Sequence, residues 1–403
     1  MRRPHFLVAC QVTFIAVSGT RSPSLALNAH CDCAGRRTLE VEPPVMSTSK
    51  VLQHLYSFNT SSPDFLRCLH YLFRNDDEEQ YLTTLQGSEL TRLVDFLDEI
   101  LDVIPSTDDV FRQCLYKLRT ICGDHAILPS SYTISGDLSR VGDDAVSGGG
   151  FSDVWKGIHN GSKVCIKVPR VNVQNREAVE KTFIKEAITW KRLEHPNVVA
   201  FIGVTRNPFQ IVSDWMPNGT LGEYVNENPG ADRVGLLLDV AEGLNYLHAS
   251  HTTHGDLKGP NILIDSTGRA CLADFGLASV VRGLTSVLVT EVQGYSGRWA
   301  APEVLGSGDR NTREADVFAF GMVMVEVFTG KSPFSEFSTM VTVSKIMGGE
   351  RPNRPRKPGF TDSVWEVTLA CWQQVPACRP AMAEVVGVLR EWPVHFLSTG
   401  PSP

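Results

Sequence analysis

Asp256, Lys258 and Asn261 lie within one short run, His254-Gly255-Asp256-Leu257-Lys258-Gly259-Pro260-Asn261. A carboxylate there can take the proton of a hydroxyl, and a lysine two places on can neutralise a group in transfer. An amide oxygen can ligate a hard cation. Asp274 follows Asp256 by 18 residues and opens Asp274-Phe275-Gly276. Asn261 and Asp274 together suit Mg²⁺, an oxygen-seeking ion that also bridges phosphates. Base, neutralising cation and metal ligands are the parts that phosphoryl transfer asks for.

Weaker signals lie upstream. Ser147-Gly148-Gly149-Gly150-Phe151-Ser152-Asp153-Val154 sits between two β-like runs. Its glycines let backbone approach phosphate oxygens and offer N–H donors to them, although alone a glycine-rich hairpin turn is the more common explanation. Lys167 ends the strand-like Val164-Cys165-Ile166, and Glu186 follows 19 residues later in the helical run Phe183-Ile184-Lys185-Glu186-Ala187. Held by that carboxylate, the ammonium can sit on phosphates; the competing reading is a surface ion pair of little value.

The elements that must position these groups change character along the chain. Short β-rich runs come first, at Val154-Trp155-Lys156, Val164 to Ile166, Val198 to Val204 and Gln210-Ile211-Val212; helical patterns dominate afterwards. A β-rich lobe followed by an α-rich lobe is an α+β arrangement, expected over residues 132–393. Residues 50–125 read as a small helical accessory region. There Leu90, Leu93, Val94, Leu97, Ile100 and Leu101 share one helix face that ends by Pro105, and Thr107 or Asp108 caps a helix stopping near Gly123. A further apolar-periodic segment starts at Pro63. This region either binds a partner or is an ordinary structural bundle. Residues 1–48 read as irregular, and 394–403 as a tail.

The 403 residues are 42% hydrophobic and 21% charged, with a net charge of -7. A sizeable core is therefore available, and a basic footprint for nucleic acid is missing. The 10 cysteines show no CxxC pair and no Cys/His ligand spacing, which argues against structural zinc and for reduced thiols in the cytoplasm. The basic start Met1-Arg2-Arg3 and the apolar run Phe6 to Val17 have the outline of a targeting segment; the alternative is a plain extension. That run is too short for a membrane span.

In order, the glycine-rich loop, strand lysine, helix glutamate, catalytic loop, Asp274-Phe275-Gly276 and Ala301-Pro302-Glu303 resemble the eukaryotic protein kinase domain. The resemblance implies a bilobal kinase fold, with a β-rich N-lobe and an α-helical C-lobe, preceded by the small helical region. It implies ATP and Mg²⁺ as cofactors and proteins as substrates. Lys167 would contact the α- and β-phosphates and pair with Glu186; Asp256 would be the base; Asn261 and Asp274 would ligate the metal. Ser147, Gly148, Gly149, Gly150, Phe151 and Ser152 would cover the phosphates. Val154, Cys165 and Leu263 would sandwich adenine. Asp214 and Met216 would present backbone groups to it, beside a small gatekeeper, Ser213. Trp190, Phe201, His254 and Phe275 would stack as a hydrophobic spine anchored by Asp316, and Glu303 would pair with Arg379.

Lys258 matches serine/threonine-type catalytic loops. The runs Gly297 to Glu303 and Cys371 to Pro380 resemble tyrosine kinases and the tyrosine-kinase-like group. The tyrosine-kinase-like group, of serine/threonine type, fits both, and His254 to Gly259 is similar to kinases of mushroom-forming fungi. Three positions depart from the pattern. Ser147 and Ser152 stand where the phosphate loop usually has glycine, which predicts weaker or slower ATP binding at worst. Cys165 stands for the usual alanine. Gly255 replaces the arginine that gathers a phosphorylated activation loop, so phosphorylation at Thr285, Ser286, Thr290, Tyr295 or Ser296 is not expected to be the main switch. Two other functions compete with an active protein kinase: a pseudokinase scaffold, and a small-molecule kinase of the same fold.

Overall fold

The computed structural model describes residues 27–31, 37–41, 85–106, 108–148, 152–170, 176–274, 297–307 and 312–391. Two units divide the chain, residues 1–82 and 83–403. The first carries an antiparallel hairpin, β1 (Leu27–Cys31) with β2 (Arg37–Val41), in register Leu27 to Val41. Both strands lie within residues 1–48, which the sequence predicts to be irregular. Their strand signal is a short alternation within Arg37-Thr38-Leu39-Glu40-Val41, with no long apolar run to mark it.

The second unit opens with two helices, α1 (Gly87–Val103) and α2 (Asp109–His125). Every apolar residue assigned to the inner face of α1 is 5% exposed or less. Asp108 caps α2 by accepting from Val110 N at 2.7 Å, and α2 runs two residues past Gly123 before Ala126 turns left-handed at φ 52°. Of the accessory region 50–125, the part at 50–84 lies outside the described residues. Segment 130–134 then joins the first lobe directly. Ile134 N–H donates to Val204 O at 3.0 Å, and a Cβ on Gly203 would lie 2.8 Å from Tyr132 O.

The first lobe is an antiparallel sheet built from β3 (Leu138–Arg140), β4 (Ser147–Gly148), β5 (Ser152–His159), β6 (Ser162–Pro169), β7 (Phe201–Arg206) and β8 (Phe209–Asp214). Its strand order is β3-β5-β6-β8-β7, with β4 on β5. Asn160-Gly161 makes the two-residue turn between β5 and β6, both residues at positive φ, as a type I′ hairpin requires. Helix α3 (Arg176–Lys191) lies between the sheet and α2, and its Val179, Phe183, Ile184, Ala187 and Ile188 are all buried.

The second lobe is helical: α4 (Leu221–Glu227), α5 (Arg233–Ala249), α6 (Pro302–Ser307), α7 (Arg313–Thr329), α8 (Thr339–Met347), α9 (Asp362–Cys371) and α10 (Met382–Arg390), plus the short hairpin β9 (Ile262–Ile264) and β10 (Ala270–Leu272). A capping box of Thr220 and Glu223 starts α4. Thr312 caps α7, and Gly330 ends it at φ 66°. Residues 315–328 of α7 are all buried, so this helix is the pillar on which the lobe is assembled. Among the described residues no helix is long and apolar enough to cross a membrane.

Candidate active site

The run His254 to Asn261 stands on α7. Asp316 accepts from the backbone N–H of His254 and of Gly255, each at 2.8 Å, and lies 2.9 Å from His248 Nε2. Ten residues on along the same helix, Glu326 accepts from Gly259 N–H at 3.0 Å and from Trp299 Nε1 at 2.8 Å. Two buried carboxylates of one helix thus hold both ends of the loop through its backbone. Gly259 leaves no room for a side chain, since a Cβ there would meet Glu326 Oε1 at 2.3 Å. Gly255 has φ 78°, a left-handed backbone that costs glycine little and other residues about 1–2 kcal/mol.

This frame presents Asp256 with one oxygen occupied. Lys258 Nζ donates to Oδ2 at 2.6 Å, and Asn261 Nδ2 donates to the same oxygen at 3.0 Å and to Asp256 O at 2.8 Å. Oδ1 takes no partner among the described residues. Both N–H bonds of Asn261 point to Asp256, which leaves its amide oxygen as the free acceptor.

The sheet and α3 bring in the second cluster. Strand β6 pairs with β5 and β8, setting Lys167 opposite Val154 and Ile211. Lys167 Nζ donates to Glu186 Oε1 at 3.1 Å and to Asp274 Oδ1 at 2.8 Å. Two of these side chains are buried, Lys167 at 6% and Glu186 at 2% exposure, and Asp274 is partly exposed at 41%. One cation here serves two carboxylates. Burial acts to lower the Lys167 pKa, but Asp274 and Glu186 outweigh it and hold the ammonium protonated well above its usual range. Burial acts to raise the Asp274 carboxyl, and Lys167 outweighs it, holding the group below the usual carboxylate range. Glu186 is pushed up, first by burial and then by the like charge of Asp274, against the pull of Lys167. Asp274 itself sits at φ 56°, a strained backbone for a non-glycine residue.

Asn261 and Asp274 fit a Mg²⁺ ion. Each keeps one oxygen after its bonds to neighbours, and hard oxygen donors in small number, completed by phosphates and water, are what this ion takes. No group of three or more His, Cys, Asp or Glu side chains able to hold a metal occurs among the described residues.

The cleft wall is a sheet surface. Cys165 faces Ser213 across β6 and β8. Val154, Cys165 and Leu263 are each half-buried, Ser213 is buried, Asp214 is exposed and Met216 half-buried. Asp214 N–H is committed to Ala200 O at 3.1 Å, whereas Met216 N–H takes no partner among the described residues. Burial pushes the Cys165 thiol up to about 11. In the phosphate loop Ser147 and Gly148 pair with Val154 and Asp153, and Ser152 is buried. Gly149, Gly150 and Phe151 lie outside the described residues, as do Phe275 and the segment carrying Thr285 to Ser296. Trp190 packs against Phe201 with ring centroids 5.9 Å apart and the planes tilted by 52°. The brace expected in the helical lobe is present: Arg379 grips Glu303 with two bonds, 2.6 and 2.9 Å.

Sequence reasoning passed over Glu326. Its signal was a single acid inside the apolar run Met322 to Phe328, a position that stays charged or polar only with partners. It also passed over Asp98, whose partners lie far along the chain.

Comparison with known proteins agrees with this geometry. The sequence model of the protein tyrosine and serine/threonine kinase family matches residues 142–389. The chain is 34% identical over 255 residues to serine/threonine-protein kinase STY17 of Arabidopsis thaliana, a match covering 61% of this chain and 43% of that protein. It is 31% identical over 274 residues to the Arabidopsis serine/threonine/tyrosine-protein kinase HT1, covering 64% and 67%. To the human tyrosine-protein kinase TXK it is 36% identical over 220 residues, covering 53% and 41%. The match thus spans less than half the length of STY17 and TXK. With the motifs in order, the lobes in place and the site assembled, this chain belongs to the protein tyrosine and serine/threonine kinase family.

Proposed function

We propose that the protein transfers the γ-phosphoryl group of ATP to serine or threonine hydroxyls of protein substrates, with Asp256 as base. The observation that carries this reading is the posture of Asp256. Lys258 and Asn261 hold one carboxylate oxygen and leave the other to receive a hydroxyl proton. Mg²⁺-ATP, when bound, supplies the phosphoryl group, and its metal neutralises the phosphate charge. Asn261 and Asp274 would hold the metal, and Lys167, fixed by Glu186, would orient the phosphates. Val154, Cys165 and Leu263 would exclude water from the adenine, and Met216 N–H would donate to it. Lys258, 2.6 Å from Asp256, would stabilise charge on the group in transfer.

Lys258 supports serine and threonine over tyrosine. Free thiols at Cys114, Cys122, Cys165, Cys271, Cys371 and Cys378 suit a reducing, cytoplasmic setting. The full catalytic set, brought together, favours activity over a scaffold role. The test incubates the purified chain with labelled ATP, Mg²⁺ and peptides bearing serine, threonine or tyrosine, beside Asp256→Asn. Transfer to serine or threonine by the wild type alone is expected. Equal transfer by Asp256→Asn overturns the mechanism, and transfer confined to tyrosine overturns the specificity.

A further inference from the structure

Helix α3 carries Glu186, and the helices that precede the matched kinase region hold it on both sides of that residue. At its far end, Asp98 of α1 is 2% exposed and accepts from Lys191 Nζ at 2.9 Å, from Ser131 Oγ at 2.5 Å and from the Arg192 guanidinium. Arg192 also donates to Asp98 O at 2.9 Å and to the Asp102 carboxylate. Ser131 itself accepts from Lys191 at 2.6 Å, and the Lys191 ammonium lies 4.2 Å above the Tyr132 ring. Tyr132 is fully buried, and its hydroxyl donates to Ile188 O at 3.5 Å. Beside Glu186, the end of α2 takes the neighbouring residue. Lys185 lies across Gly123, where a Cβ would meet its Cε at 1.9 Å, and its ammonium is 3.6 Å from Asp124.

These contacts form a frame. α3 is grasped at Lys185, one residue before Glu186, and again at Lys191 and Arg192, one turn and more beyond it. A buried carboxylate shared by two cations is costly to assemble and costlier to break on one side, so its geometry is strongly specified. Glu186 reaches Lys167 only while α3 keeps its place. We infer that Asp98 is a positioning residue for phosphoryl transfer: through Lys191 and Arg192 it sets α3 so that Glu186 holds Lys167, and the kinase region 142–389 is incomplete without helices α1 and α2. The effect on turnover rests on the activity proposed above; the placement of α3 does not.

The experiment uses the full chain with Asp98→Asn, which keeps the shape and removes the charge, with Arg192→Gln, and with both. Hydrogen exchange is followed in peptides spanning α3 and α7, together with kcat and KM for ATP. Glu242→Gln, which breaks the distant Arg390 pair of 2.8 Å, is the control for general loosening. Each single variant is expected to speed exchange in α3 while α7 stays protected. It is also expected to lower kcat/KM by roughly fivefold or more, within the 5- to 150-fold span of coupling between sites. The double variant should lose no more than the worse single one, because the two groups act as one. Wild-type exchange in α3 of both variants overturns the inference, as does loosening spread evenly over α3 and α7. A wild type without transfer, but with the exchange pattern above, overturns the proposed activity and leaves the frame standing.

Discussion

Glu326→Gln isolates the cost of burying one carboxyl beneath the catalytic loop. The side chain is 5% exposed, and burial pushes its pKa from 4.5 up to about 7, against the pull of the Trp299 and Gly259 donors. Between those two values the folded protein keeps a proton that the unfolded chain has released. Stability therefore falls as pH rises through that window. Each pH unit is worth about 1.4 kcal/mol, so the whole window amounts to about 3 kcal/mol. Glutamine does not titrate. The difference in unfolding free energy, wild type minus variant, should therefore drop by about 3 kcal/mol between roughly pH 4.5 and 7.5 and level off on either side. Urea titrations at half-unit pH steps read this difference directly, and groups common to both proteins, Glu186 included, cancel in it. A flat difference would refute the reasoning, because it would mean that the carboxyl pays nothing for its burial. A difference that rises with pH would show that the two N–H donors dominate and hold the carboxylate ionised.

Gly255→Ala should lower the unfolding free energy by about 1–2 kcal/mol, because φ is 78° there; a neutral result in chemical denaturation would remove the left-handed argument. Alkylation of Cys165 should be slow, since a thiol pushed up to about 11 is ionised to about one part in a thousand at pH 8. Mg²⁺-ATP should slow it further, as read by mass spectrometry of the peptide, and labelling unaffected by nucleotide would place Cys165 outside the adenine wall. Arg379→Lys keeps the charge but loses the two-pronged grip on Glu303, and thermal or urea unfolding should show a loss of about 2 kcal/mol or more.

The chemistry was legible because it is local. Asp256, Lys258 and Asn261 sit in one loop, so their types and spacing carry their meaning before any fold is known. Lys167 and Glu186 were legible only through their order among other motifs, since bringing a strand and a helix together is a tertiary event. The Asp98 cluster was not legible at all. Its two cations, Lys191 and Arg192, stand more than ninety residues away, and on α1 the residue reads as one more polar position between apolar ones. Glu326 was hidden for a related reason: its partners are backbone N–H and indole N–H groups, which no composition or charge pattern marks. The hairpin at 27–41 escaped because five-residue strands without a strong apolar alternation leave little trace.

The attachment of α1 to α3 also sets an order of events on the ribosome. Asp98 and the Arg192 side chain it receives are separated by 94 residues. At about 5–20 residues per second, the two leading helices wait roughly 5–20 s for the helix they grasp. Through that interval the Asp98 carboxylate stays hydrated, without the two cations that later bury it. The nascent chain thus passes through a stage in which α1 and α2 have emerged without the helix that they grasp.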